Sequence, residues 1–353
     1  MEMTAVIALK AGMETAEDVL DHKGNVIIKK DTHLDDRLIQ KLKFASITCI
    51  MIKEEEDYKT TYFEKIKVSK DFHRFCELYA TNFNKYRIMM ENYLFNGAIP
   101  DTTNLLSLVN NIIQPFEKCK MTVLDMLSVL ETADRDFLYA HALNVALICS
   151  YTAKWFRLSA EDEQLLILSG FFYDVGKFKI PAEILTKRGK LTDSEFNTIK
   201  SHTLLGFQML KDEAIDDRIK LVALMHHEKC DGTGYPQRLP GERIHPLAKI
   251  IAILDAYEAM TSYRSYRDPI CPFKVIEIFE RDGYGKYDTG YYMTFLERMV
   301  EEYIGKQVQL NDGTICNVVL INKQCFSRPM IKTEKGTYLD LANAKELHIE
   351  TLI

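Results

Sequence analysis

The chain has 353 residues and a mass of 40.8 kDa, enough for two or three domains. Hydrophobic residues at 47% and charged residues at 27% are those of an ordinary soluble globular protein. A net charge of −6 argues against a nucleic-acid binder, so neither DNA nor RNA is expected as a partner, although Lys and Arg can still cluster around an anionic substrate.

Residues 1–60 read as a small mixed α+β accessory unit. Asn25-Val26-Ile27-Ile28 is a strand candidate after a turn at Asp21–Gly24, and Ile47–Ile52 is a second. Between them Asp35–Leu42 forms a short helix, with Asp31 and Thr32 as capping residues. Residues 54–58 are a charged linker, and residues 61–128 a helical connector. There Leu105, Val109, Ile112 and Phe116 recur at helical spacing, behind an N-terminal signal at Asp101-Thr102.

From 129 to 305 successive helical runs carry side chains that suit a metal. His141 lies in Phe137–Phe156, and Asp174 follows Gln164–Phe172 within Tyr173-Asp174-Val175-Gly176-Lys177. His202 lies in Asp193–Leu210, and His226-His227 end the run Arg218–Glu228. The run Asp231-Gly232-Thr233-Gly234-Tyr235-Pro236 comes next, and Asp255 lies in Ala248–Ser262. Four histidines and two aspartates from different helices suggest a divalent metal centre. Side chains of this kind can hold two ions about 3.5–4 Å apart that activate water and neutralise developing charge. Such a site needs imidazoles and a carboxylate able to bridge.

Residues 306–353 change to short strand candidates: Val308–Leu310, Ile315–Leu320, Met330–Thr333, Thr337–Leu339 and Leu347–Ile349. Turns at Asn311-Asp312-Gly313 and Glu334-Lys335-Gly336 separate them. This β appendage carries no catalytic constellation.

The order and spacing of the metal-type residues resemble the HD-GYP family, the branch of the HD phosphohydrolases that hydrolyses cyclic di-GMP. The family's HD-x-GK element corresponds to Tyr173–Lys177, and its HHE-x-x-DG-x-GYP element is complete from His226 to Pro236. Its third element runs from Asp255 to Arg267, with Glu258, Thr261, Ser262, Arg264 and Arg267 in place. The opening, with Gly12-Met13 and Gly24–Ile27, is also similar to many members. The resemblance implies a mainly α fold, an all-helical HD-type phosphohydrolase bundle flanked by the N-terminal α+β unit and the C-terminal β appendage.

It further implies two divalent ions, iron or manganese, with zinc, magnesium and nickel left open. Asp174 would bridge them, His141 and Asp255 would complete one shell, and His202, His226 and His227 the other. Lys177, Arg264 and Arg267 would hold substrate phosphates. Gly234, Tyr235 and Pro236 would recognise substrate and contact GGDEF-domain proteins, or else form a rigid loop that positions His226 and His227. The implied activity is a metal-dependent phosphodiesterase opening cyclic di-GMP to linear pGpG or GMP. The alternatives are an impaired HD-GYP protein that acts as a cyclic di-GMP sensor or regulator, and a hydrolase for another cyclic dinucleotide or a phosphomonoester. A homodimer is compatible with either.

Three positions depart from the family pattern. Tyr173 stands where a histidine ligand is expected, and an ordinary phenol, with pKa about 10, must lose its proton to bind a metal well. Three outcomes are open: a phenolate on ferric iron, a weak or water-filled metal position, or a pocket retained for sensing. Phe137 replaces a carboxylate found in three-metal members, and Asp136 beside it points about 100° away on a helix, so at most two ions are expected. Ala182 replaces a frequent Asp, with Glu183 next to it.

The eight cysteines contain no C-x-x-C pair and read as small buried side chains in a reducing compartment, Cys230 among them as an incidental thiol. The sequence offers no basic n-region and no run of ~20 apolar residues. A cytoplasmic protein is expected.

Overall fold

The computed structural model describes residues 2–6, 9, 12–20, 25–45, 47, 49–52, 61–119, 121–131, 136–187, 189–262 and 270–353. The turn at 21–24, the linker at 54–58, and Arg264 and Arg267 lie outside them. Contacts divide the chain into two units, Met1–Thr60 and Thr61–Ile353.

In the first unit β1 (Glu2–Ala5) pairs antiparallel with a later strand, and β2 (Val19–Leu20) pairs with β3 (Val26–Ile28). Helix α1 (Asp36–Phe44) is capped by Asp35, whose Oδ1 accepts from the Leu38 amide at 2.7 Å. Asp31 and Thr32 are therefore not the cap; Asp31 takes a left-handed turn conformation instead (φ 61°). Strand β4 (Cys49–Ile52) closes on β1, and Val6, Val19, Ile28, Leu34, Leu42 and Ile50 form a core of their own.

The second unit begins with α2 (Tyr62–Lys67), the long α3 (Lys70–Asn96), α4 (Thr102–Ile113) and α5 (Val123–Ser128). Asp101 caps α4, and Leu105, Val109, Ile112 and Phe116 are all buried. Then come α6 (Phe137–Thr152), α7 (Ala160–Phe172), α8 (Ala182–Leu185), α9 (Asp193–Lys200), α10 (His202–Leu210) and α11 (Asp217–Met225). Helices α12 (Pro246–Thr261), α13 (Pro272–Asp282) and α14 (Thr289–Glu301) complete the helical part. The run expected as one helix over Asp193–Leu210 breaks at Ser201, whose hydroxyl turns back onto the Thr198 carbonyl.

Helices α6, α7 and α12 each bury a long, mainly apolar stretch, residues 142–149, 165–172 and 247–254 in turn, in the main core. A Cβ on Gly170 would lie 2.7 Å from Ala146 Cα, so glycine is what lets α7 approach α6 closely. The two helices thereby carry His141 and the segment after Phe172 into one place.

The C-terminal strands β5 (Gln307–Leu310), β6 (Ile315–Leu320), β7 (Met330–Thr333), β8 (Tyr338–Asp340) and β9 (Ile349–Leu352) form an antiparallel sheet of order β8-β7-β6-β5-β9. The last strand begins at Ile349 and not Leu347, because the Arg328 guanidinium gathers the carbonyls of Leu341, Ala344 and Leu347 into a turn. Val308, Leu310, Val318, Ile331 and Leu352 belong to the same buried cluster as the helices. The expected fold class, helical with small β units at either end, is what the chain adopts.

All eight cysteines are free, but only Cys149 and Cys316 are buried and Cys49 is exposed. Among the described residues no helix is long and apolar enough to cross a membrane.

Candidate metal centre

Tyr173 caps α7 at its C-terminus, and Asp174 follows in a short 3₁₀ turn over Val175–Lys179. The turn must pass against the start of α10, and Gly176 makes that possible. A Cβ there would lie 1.9 Å from the His202 carbonyl oxygen and 2.5 Å from the Gly206 amide. Gly176→Ala should therefore push Asp174 away from His202 and cost about 1–3 kcal/mol, the usual cost of overpacking. An unchanged melting temperature with unchanged metal content would refute that close contact.

Six expected side chains converge. Asp174, His202, His226 and His227 offer one donor atom each within 4.8 Å of one another, and so do His141, Asp174 and Asp255, with Asp174 common to both groups. Cys230 and Asp231 join neither; the Asp231 carboxylate accepts from Thr233 in a local turn.

In the first group the imidazoles are oriented from behind. His202 Nδ1 donates to the Ile199 carbonyl at 2.6 Å, and His226 Nδ1 lies 3.1 Å from the carbonyls of Val222 and Ala223. A carbonyl only accepts, so both Nδ1 atoms carry a proton, and in the neutral rings both Nε2 atoms then present lone pairs. These Nε2 atoms are 3.2 Å apart, and 3.3 and 3.5 Å from Asp174 Oδ1. Asp174 Oδ1 is buried with no hydrogen-bond partner. Two lone pairs and a carboxylate oxygen facing one another repel unless a cation sits among them. The residues fit a divalent ion.

His227 completes this group against the loop. Its ring stacks on Tyr235 (4.7 Å, 25°), its carbonyl accepts from the Tyr235 amide, and the Glu228 carboxylate accepts from the amides of Gln237 and Leu239. Gly234 is buried where a Cβ would lie 2.4 Å from the Lys229 amide, while Pro236 is exposed.

The second group is linked by hydrogen bonds. His141 Nδ1 lies 2.5 Å from Glu258, whose other oxygen accepts from Asn144 at 2.8 Å and from Ser262. Asn144 Oδ1 accepts in turn from the Tyr79 hydroxyl on α3. The Tyr173 hydroxyl oxygen lies 2.6 Å from His141 Nε2 and 2.9 Å from Asp255 Oδ1. Lys177 Nζ pairs with Asp174 Oδ2. Phe137 stacks on His141, and Asp136 pairs with Arg87. Ala182 and Glu183 are exposed on α8. Glu258 and Asn144 stand behind His141 in a contact that the sequence does not reveal, although Glu258 belongs to the third motif.

Charge follows this geometry. Burial alone would raise the carboxyls of Asp174 and Asp255, but Lys177 beside the first and His141 beside the second hold both below the usual range. Burial would lower His141, yet Glu258 and the two aspartates push it well above the ordinary value. Tyr173 is held well above the usual phenol range by burial and then by the charges of Asp255, Asp174 and Glu258.

His202 is pushed down to about 4, chiefly by burial with His226 adding to it. The metal-free protein should accordingly lose stability on acidification. His202 binds a proton more readily when unfolded, so its contribution is complete above pH 6.5 and is lost as pH falls toward about 4. The shift corresponds to roughly 3 kcal/mol. His227, lowered by burial and by His226, acts in the same direction. His141 is shifted upward, so its contribution is present throughout this window and fades only at higher pH. A melting temperature of the chelated protein that stays level between pH 6.5 and 4 would contradict the neutral assignment.

Residues 126–290 match the HD-domain model. The cyclic di-GMP phosphodiesterase PA4108 of Pseudomonas aeruginosa is 30% identical over 239 residues, covering 67% of this chain and 56% of that one. The 3'3'-cGAMP-specific phosphodiesterase 1 of Vibrio cholerae is 33% identical over 177 residues, covering 48% and 40%. This chain thus spans about half the length of the curated relatives it matches, or less. Among solved structures, Bd1817, an HDG"Y"P protein from Bdellovibrio bacteriovorus, overlays with a TM-score of 0.52 at 16% identity, covering 84% of this chain and 99% of that one. That likeness is one of fold.

Proposed function

We propose that this chain, whose residues 126–290 match the HD-domain model, is a metal-dependent phosphodiesterase of the HD-GYP type acting on a cyclic dinucleotide. Cyclic di-GMP is the substrate this reading favours, opened to linear pGpG or GMP. The observation that carries it is the convergence of His141, Asp174, His202, His226, His227 and Asp255 on one largely buried cluster. Iron or manganese suits that mixture of imidazole and carboxylate, and an ion held there supplies Lewis acidity toward a phosphoryl oxygen and acidifies water.

The chain's own groups have separate tasks. Asp174 and Asp255 remain ionised and concentrate negative charge that attracts the cation. Glu258 holds His141 with Nε2 toward the cluster, as a carboxylate behind a histidine does in many metal sites. Lys177 places an ammonium beside Asp174, and its side chain is 17% exposed, within reach of a substrate phosphate. Arg264 and Arg267 are proposed as further phosphate contacts. Gly234, Tyr235 and Pro236 are proposed for substrate recognition or for docking a GGDEF-domain protein, and the stacking of Tyr235 on His227 also supports a positioning role. A cytoplasmic location and a homodimer accompany this reading.

The test is hydrolysis of cyclic di-GMP and of 3'3'-cGAMP by anaerobically purified protein supplied with manganese or ferrous iron, with and without chelator. Chelator-sensitive product is expected. A metal-loaded protein that binds cyclic di-GMP without turning it over would favour the second reading, a sensor or regulator, for which the phenol of Tyr173 between His141 and Asp255 is the specific observation.

A further inference from the structure

We infer, resting on the metal-dependent reading above, that this chain keeps a single ion, in the half of the cluster formed by Asp174, His202, His226 and His227, and that Tyr173 closes the other half. The two halves differ in what their polar atoms lack. In the histidine half the Nε2 atoms of His202 and His226 face each other at 3.2 Å as lone pairs, and Asp174 Oδ1 is buried without a partner. A cation among them satisfies all three at once.

In the tyrosine half each donor atom already has a partner. His141 Nδ1 is held by Glu258, and Nε2 is met by the Tyr173 hydroxyl at 2.6 Å and Asp255 Oδ1 at 3.0 Å. Asp255 Oδ1 also accepts from Tyr173 at 2.9 Å, and Asp174 Oδ2 is taken by Lys177. Donors that share one ion at about 2.1 Å lie roughly 3.0–3.4 Å apart. The 2.6 Å separation of the phenol oxygen and His141 is instead a hydrogen-bond length. A histidine at this position would offer a lone pair; the phenol offers a proton.

Nor can the ring move aside. Tyr173 is 0% exposed, with His141 edge-on at 5.9 Å and His226 at 4.9 Å between ring centroids. Rotating it out would leave a cavity in a close-packed interior and strand the hydroxyl without a partner. The substitution therefore removes one ion position and leaves the other intact.

The experiment counts metal per chain by elemental analysis of the full protein purified anaerobically with manganese, alongside its electron paramagnetic resonance spectrum. The wild type should hold about one ion, with the signal of an isolated manganese and no exchange coupling. His202→Ala should lose that ion, His141→Ala should retain it, and Tyr173→His should gain a second with an exchange-coupled signal. Two coupled ions in the wild type would overturn the inference and leave the metal-dependent reading standing. Loss of the ion in His141→Ala as complete as in His202→Ala would also overturn it. No ion bound at saturating manganese would overturn the inference and the metal-dependent reading together.

Discussion

Replacing Asp174 with asparagine should remove metal and turnover together. Asp174 belongs to both donor groups, and its two oxygens point in different directions, one toward the histidines and one to Lys177. An amide of the same shape has no charge to offer either side. Turnover should fall by at least about 10²–10³-fold, the scale on which losing one preorganised electrostatic group is felt. The fold should suffer as well, because Lys177 loses its directly bonded counter-charge and keeps only the more distant ones of Asp255 and Glu258, at a cost on the order of 1–3 kcal/mol. Elemental analysis, a melting curve and a cyclic di-GMP assay on one sample measure all three. Wild-type turnover by the asparagine variant would take Asp174 out of the mechanism.

Ending the chain at Gly305 should abolish folding of the second unit, although nothing after Gly305 supplies a donor atom. The sequence alone leads to the expectation that both end segments are dispensable for chemistry, since neither carries a ligand-type cluster, and it says nothing of what they do for folding. The sheet, however, buries Val308, Leu310, Val318, Phe326, Ile331, Leu341, Ile349 and Leu352 in the core shared with the helices. At about 1.5–3 kcal/mol for each buried side chain, the burial lost is as large as the 5–15 kcal/mol by which a typical domain is stable. The Glu280 carboxylate on α13 would also lose the amides of Phe326 and Ser327 that it now accepts from. Deleting residues 1–60 is the matching control. That unit has its own core, so residues 61–353 should keep a cooperative melt and bound metal. A soluble, cooperatively melting protein ending at Gly305 would show that the sheet is an ornament.

The donor residues were legible because chemistry restricts which side chains can do this work. Histidine and aspartate at motif spacings survive in any reading of the sequence, and the helices that carry them announce themselves by apolar runs. Glu258 was visible too, but its task was not. That task depends on a partner 117 positions away in sequence, His141, and on burial that no local pattern encodes. Tyr173 is recognisable in the sequence as a departure, whereas its two hydrogen bonds depend on partners 32 and 82 positions away. The break at Ser201 and the late start of β9 were missed for a related reason, since both are set by side chains that capture carbonyls. The shared core of sheet and helices was hidden because strand patterns report which residues are buried and never against what.

The hydrogen bonds from Tyr79 through Asn144 and Glu258 to His141 make the roll of one helix matter to a donor far along the chain. Helix α3 has 27 residues, so it runs about 40 Å. Its Tyr79 hydroxyl fixes which way the Asn144 amide faces: oxygen toward the phenol, nitrogen toward Glu258. A roll of α3 by one residue, about 100°, turns the phenol away and frees the amide to flip. The flipped amide would set its oxygen against the Glu258 carboxylate, replacing attraction with repulsion two bonds short of His141. Torque on a distant rod would thus reach the imidazole as a change in electron supply.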